Sequence, residues 1–303
     1  MFRFLTVSVA AIGALVASSV LAQGFVLKGQ PAPGRSMTYR ITSEMVVDQK
    51  SGEAKPESSR VFCISNVKIT ITSVEADGSA KADLIIQNVK VDAPFEGRAM
   101  GYEWPTAILP EHAPVYETLG KVLCGCKVRL GIDPGGAVSV EGGMDEYLEA
   151  VGKADRPRDR LLAIFEPARL GALLTPIFSA DGSGDGERAV GKGWQTTETI
   201  SHAPVAAIEI TTNWSVEEAD QNTAQYAGKP TIEVLRPAEA RDGVAALELG
   251  SYEGKTTGVW DLRNKWLRRR DSSLAIETRW TLGESTLTQN QRWASRLEIL
   301  EAE

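Results

Sequence analysis

The stretch VFCISNVKITITSVEADGSAKADLIIQNVKV, Val61 to Val91, decides the fold. Apolar side chains recur at every second place: Val61, Cys63, Val67, Ile69 and Ile71 form one row, and Ala80, Ala82, Leu84 and Ile86 form another. A period of two sends alternate residues to opposite faces of a pleated strand, so each row is one buried sheet face. Between the rows stand Asp77 and Gly78, a pair suited to a tight hairpin because its backbone accepts positive φ. After Ile86 the apolar places shift to Val89 and Val91, which predicts one extra residue in that strand, a β-bulge.

The same period extends outward. Upstream, Gln23 to Arg35 is a Gly- and Pro-containing leader, and Met37, Tyr39, Ile41, Met45 and Val47 then alternate with mostly polar residues. The polar run Asp48 to Ser59 reads as a connection. Downstream, a proline-punctuated loop covers Ala93 to Pro114, and a short amphipathic helix is expected at Val115 to Val122. KVRLGIDPGGAVSVEG, Lys127 to Gly142, is a second hairpin that turns at Asp133 to Gly136. Helical spacing then takes over. Met144, Tyr147, Leu148 and Val151 fall at i, i+3, i+4 and i+7, as do Leu170, Leu173, Leu174 and Ile177 behind Pro167, a favoured first helical residue.

SADGSGDGE, Ser179 to Glu187, reads as a linker, after which two-residue periodicity returns. Ile208, Ile210, Thr212, Trp214 and Val216 share one face, as do Leu274, Ile276, Thr278, Trp280 and Leu282, and then Trp293, Leu297 and Ile299. The predicted fold class is α+β, mainly β: two antiparallel, curved sheets flanking a helical insert. The predicted boundaries are a β-rich half at 23–142, the helical insert at 143–178, a Gly-rich linker at 179–190 and a second β-rich half at 191–303. SMTYRITSEMVVD and GKGWQTTETI each follow a Gly-rich entry, a pattern compatible with a duplicated half.

The hairpin VRLGIDPGGAVSVEGG, Val128 to Gly143, followed by helices and then a G-x-G-W strand entry at Gly191 to Trp194, resembles a group of uncharacterised exported bacterial proteins. The resemblance covers much of the chain beyond residue 22. It implies an exported β-rich fold and brings no catalytic residues with it.

The first 22 residues, MFRFLTVSVAAIGALVASSVLA, carry one early positive charge at Arg3, an uncharged apolar run and small residues at the end. That is the pattern of a secretory signal peptide cut between Ala22 and Gln23, and it places the protein in the periplasm or outside the cell. No cysteine follows the cut, which argues against a lipid anchor. Loss of this segment, with Arg3, leaves 32 basic against 40 acidic side chains, a charge of −8 and a poor match for nucleic acid. No later stretch is suited to spanning a membrane: the most apolar, Leu161 to Phe178, contains Glu166, Arg169 and two prolines.

VLCGCKV, Val122 to Val128, holds two of the three cysteines. In extended backbone Cys124 and Cys126 point the same way and are poor partners for each other. An oxidising compartment favours a bridge from Cys63 to Cys124 or Cys126 over three unpaired thiols, and either over metal or redox duty, for which three or four converging ligands are needed. Asp181, Ser183 and Asp185, with Gly186 in sixth place, open like an EF-hand calcium loop. The twelfth place, which should be Glu, is Lys192, so a flexible linker is the better reading, and no metal or other cofactor is expected.

Enzyme signatures fail one by one. Ser65 to Lys68 has the S-x-x-K form, but on a strand its ends point to opposite faces. Lys255 to Gly258 misses K-T-G by an inserted threonine, G-x-S-x-G is absent, and only His112 and His202 could act as imidazole bases. Near the C-terminus, Arg268, Arg269, Arg270, Arg279, Arg292 and Arg296 are interleaved with tryptophans. They read first as the outward residues of a sheet, and second as an anion-binding strip for lipid headgroups or acidic polysaccharide. Leu161, Leu162, Phe165, Leu170, Leu173 and Leu174 are either core or the lining of an apolar cavity beneath the helices. The function expected is non-catalytic: binding of an apolar or amphipathic ligand, such as a lipid, or of another component of the cell envelope. The alternative is a structural or protein-interaction module with no small-molecule ligand.

Overall fold

The computed structural model describes residues 24–52, 55–95, 98–105, 121–124, 126–152, 165, 167–180, 186–202, 206–235, 246–282 and 285–302. The expected signal peptide, His112, Leu161, Leu162 and the calcium-loop residues Asp181, Ser183 and Asp185 lie outside them, as does most of the helix expected at 115–122; residues 121–124 are helical. In chain order the elements are β1 (Phe25–Val26), β2 (Ser36–Ser51), β3 (Glu57–Val74), β4 (Ala80–Phe95), β5 (Arg98–Trp104), β6 (Lys127–Ile132) and β7 (Val138–Gly142). Two helices follow, α1 (Asp145–Gly152) and α2 (Pro167–Phe178). The remaining strands are β8 (Glu187–Arg188), β9 (Gly193–His202), β10 (Ala206–Ala219), β11 (Thr223–Leu235), β12 (Ala246–Asp261), β13 (Trp266–Leu282) and β14 (Ser285–Ala302).

Of the local expectations, the bulge and the hairpin turns hold, whereas the proline-punctuated loop expected at 93–114 is strand in part, because β4 runs to Phe95 and Arg98–Trp104 pairs back on it as β5. Asn66 faces Asn88 while Val67 faces Ile86, so Gln87 is the extra residue of the bulge. Gly78 and Gly136 turn the two N-terminal hairpins with φ of 87° and 89°. The polar run after Asp48 is not a loop throughout, because β2 continues to Ser51 and β3 begins at Glu57. There Gln49 donates to Glu57 across the ladder at 3.1 Å. Pairing thus outlasts the apolar pattern.

Two sheets flanking the helices were expected; the strands instead form one large antiparallel sheet in the order β7-β6-β4-β3-β2-β14-β13-β12-β11-β10-β9, with β5 also on β4. A two-stranded sheet pairs β1 with β8. The seam is β2 on β14, paired from Ser51 opposite Leu287 to Met37 opposite Ala302, with one register shift between Ile299 and Glu301. Alternation shows which face a residue takes and says nothing about its neighbouring strand. Two long strands left unpaired would each present a row of open N–H and C=O groups, and pairing satisfies both. β2 is therefore central and β9 marginal, so the two similar entries SMTYR and GKGWQ occupy unlike places.

The main core lies on one face, hereafter the inner face. Tyr39, Val67, Ile69, Leu84, Ile86, Val128 and Leu130 line it from the N-terminal strands, and Trp214, Tyr226, Trp260 and Leu267 from the C-terminal ones. Against it pack Met144, just before α1, Tyr147 of α1, and Leu170, Leu174, Ile177 and Phe178 of α2. Gly171 lets α2 approach closely: a Cβ there would meet the Val138 carbonyl oxygen at 2.5 Å. One turn on, the Thr175 hydroxyl donates to the Gly171 carbonyl and accepts from the Val138 N–H, both at 3.0 Å. The phenol of Tyr39 donates to the Leu267 carbonyl at 2.7 Å, linking β2 to β13 across β14.

Candidate functional site

The inner face remains apolar beyond the main core. A second cluster, formed wholly by strand residues, contains buried Ile208, Ile232 and Ile276, with Ile210, Val234, Leu249, Leu274 and Trp293 packed on it. Register places these on the same face as Trp214: Ile210 faces Ile232, and Leu274 faces Trp293, which faces Met45. Where α2 crosses β2, β3 and β14 it leaves a cavity of about 160 Å³. Its floor is Ile41, Ser43, Met45, Val61, Cys63, Ser65 and Trp293, and its roof is Phe165, Arg169, Leu170 and Leu173. Trp293 belongs to both the cavity and the second cluster.

Of the apolar residues expected to line such a space, Phe165, Leu170 and Leu173 do so. Leu174 is fully buried in the main core instead. Sequence reading missed Arg169. The signal was its spacing, because Phe165, Arg169 and Leu173 stand four apart and so share one side of a helix. It also missed Met45 and Trp293, whose meeting depends on the seam between β2 and β14.

The expected cysteine staple does not form; Cys63, Cys124 and Cys126 are all free thiols. Cys63 is in β3, whereas Cys126 immediately precedes β6, and β4 lies between these strands. Two inter-strand spacings amount to about 10 Å, beyond the ~7 Å limit between bridged Cα atoms. Burial pushes the Cys63 thiol up to about 12 and the Cys124 thiol up to about 11, with Cys126 adding to the latter. Burial and then Glu146 raise Cys126 as well. Each shift disfavours the thiolate, the reactive form of cysteine. Among the described residues no group of three or more His, Cys, Asp or Glu could hold a metal ion.

The arginine strip divides between faces. Arg269, Arg279, Arg292 and Arg296 project from the outer face, opposite to the main core. Three of them are paired: Arg269 and Arg296 with Asp271 at 2.6 and 2.5 Å, and Arg292 with Asp48 at 2.9 Å. Burial would raise the Asp271 carboxyl, but hydrogen bonds from these two arginines outweigh it and hold the group below its ordinary value. Arg270 points inward, over the Trp214 ring at 5.4 Å, and donates to the Ala180 carbonyl at 3.2 Å. Arg268 sits at a bulge and grips Asp261 through two donors, at 2.9 and 2.7 Å.

The outer face has larger hollows, of about 500 and 370 Å³. They are shallow troughs among Thr42, Glu44, Lys255, Asp271 and Arg296, and among Val46, Glu253 and Arg292. Their walls mix both signs of charge. Among the described residues no helix is long and apolar enough to cross a membrane.

No family model matches the chain, and no curated protein matches it. Among solved structures, one of lipid–protein interactions in lipovitellin is similar at a TM-score of 0.45 and 11% identity, over 90% of this chain and 26% of that one. The chain thus spans about a quarter of the length of that relative. The crystal structure of Pseudomonas aeruginosa OpdQ follows at a TM-score of 0.24 and 7% identity, over 88% of this chain and 99% of that one. That of Pseudomonas aeruginosa OpdL stands at 0.21 and 6%, over 88% and 99%. At such scores these likenesses carry no argument about what the chain binds.

Proposed function

We propose that this is an exported, non-catalytic protein that binds an apolar or amphipathic ligand on the inner face of a curved sheet, beneath its helical cover. One observation carries the reading: Trp293 both lines the cavity under α2 and packs on the Ile208–Ile232–Ile276 cluster, so the two make one apolar track along the inner face. The cavity alone is smaller than the roughly 300–1,000 Å³ typical of small-molecule sites. A ligand that used only the cavity would be very small, whereas one lying along the track can be a long chain. Residues 1–22 support delivery to the periplasm or exterior, where such a carrier would meet lipid.

The test is native mass spectrometry of the protein secreted from cells, with lipid analysis of an organic extract. The expected result is a polypeptide starting at Gln23 with a copurified lipid mass that is lost on delipidation and regained on incubation with lipid. A stripped protein that takes up no lipid and no fluorescent fatty-acid probe overturns the reading. One observation favours the alternative of an interaction module: β9 closes the sheet order with a neighbour, β10, on one side only. Among the described residues no strand pairs with the other edge of these ten residues, and such an edge is a site where a partner strand can add. A stable complex with another envelope protein, recovered from cells without lipid, would support that reading.

A further inference from the structure

We propose that the ligand is a single-chain amphiphile with an anionic head, such as a fatty acid, and that Arg169 receives the head. This rests on the apolar-ligand reading above and names the chemistry at one end of the track. Among the described residues, Arg169 is the one charged side chain lining the cavity; the other ten are apolar side chains, two serines and a neutral thiol. It is exposed, so its guanidinium stays hydrated at the rim while its stem roofs the apolar space. Arg169 has a contact of its own. A guanidinium has five N–H donors in a planar fork that fits a carboxylate with two of them, so one partner does not exhaust it.

The polar atoms of the floor do not compete for that head. The Ser65 hydroxyl donates to the Asn88 carbonyl at 3.0 Å and is 1% exposed. From Arg169 the apolar route continues past Leu173 to Trp293, then to Leu274 and Ile276 on the neighbouring strand. A head held at the rim and a tail laid toward β13 therefore fit one linear molecule. On the outer face Arg269, Arg292 and Arg296 already neutralise aspartates, and the troughs beside them contain glutamate and lysine.

The test compares sodium oleate, below its micelle concentration, with oleyl alcohol, which has the same chain and an uncharged head. Binding to delipidated protein is measured by displacement of a fluorescent probe. Three variants accompany the wild type: Arg169→Gln, Arg169→Lys, which retains the charge, and Arg292→Gln on the outer face. Circular dichroism and a thermal melt show that each is folded. The expected result is oleate binding about 10- to 100-fold weaker in Arg169→Gln, the loss that follows removal of one charged hydrogen-bond partner. Binding should be largely restored in Arg169→Lys and unchanged in Arg292→Gln, and oleyl alcohol should be indifferent to all three. Equal binding of both probes, or oleate binding untouched by Arg169→Gln, overturns the assignment of an anionic head and leaves the apolar-ligand reading in place. Loss in Arg292→Gln alone also overturns it, by moving the site to the outer face. Failure of the wild type to bind either probe overturns the apolar-ligand reading itself.

Discussion

Gly228 and Gly258 show how tightly the inner face is filled. A Cβ on Gly258 would overlap the Tyr226 ring, and one on Gly228 would overlap the Trp214 ring, so both aromatics lie flat on backbone that only glycine leaves bare. Gly258→Ala should therefore destabilise by about 1–3 kcal/mol, the cost of overpacking, read as a lower denaturant midpoint at unchanged slope. Asp261 acts at the hairpin between β12 and β13. It is 2% exposed and accepts from the Arg263 and Asn264 N–H groups, the Asn264 amide and Arg268. Burial would raise this carboxyl, but those donors prevail and hold it below its ordinary value. A depressed carboxyl contributes stability above its unfolded value, near pH 4, and loses it as the pH falls through the lower folded value. Asp261→Asn should cost about 1–3 kcal/mol at pH 7, and its deficit against wild type should shrink below about pH 4 in melts taken across pH. Cys63, raised to about 12, should resist iodoacetamide at pH 8 in native protein and react quickly in denaturant, as followed by peptide mass spectrometry. Rapid native labelling, or a bridge to Cys124 or Cys126, would contradict the placement described.

Among the elements, α2 is pinned by few groups. Thr175→Val keeps the helix shape but removes the hydroxyl that accepts from the Val138 N–H at the start of the edge strand β7, and should lower stability by about 1–3 kcal/mol. Hydrogen exchange at Val138 should rise with it. What the sequence revealed about elements was local. The rows in β2, β3 and β4, the bulge at Gln87, the β6–β7 hairpin and the start of α2 at Pro167 all follow from side-chain period and turn chemistry within some twenty residues. What it concealed was lateral. Met45 and Trp293 each alternate correctly within their strands, yet nothing local says that they face one another, and the cavity floor exists only because they do. The cysteine staple failed for the same reason: it required knowing that β4 stands between β3 and β6. Arg169 was hidden differently, since a lone cation in an apolar helix reads as a solvated position until the surface beneath it is known.

At the scale of the whole molecule, the inner face is a single wall with two apolar regions, one packed by α1 and α2 and the other built from strands alone. A ligand that bridges them binds the folded state and not the unfolded chain, so it must add to stability by mass action. At one hundred times its dissociation constant, oleate should stabilise the protein by about 2.7 kcal/mol, visible as an upward shift of the melting temperature that grows with ligand concentration. Arg169→Gln should blunt that shift.

The seam has a consequence for biosynthesis. Asp48 and Arg292, which meet across it at 2.9 Å, are 244 residues apart in the chain. While the nascent polypeptide is still emerging, the early segment has one flank waiting for a partner that has yet to be translated. Closing so large a loop is slow, and until it closes that flank is prone to aggregate. Under the export proposed above this delay would be useful, because a chain unable to finish its middle remains threadable, and holding it in that state becomes the work of a chaperone.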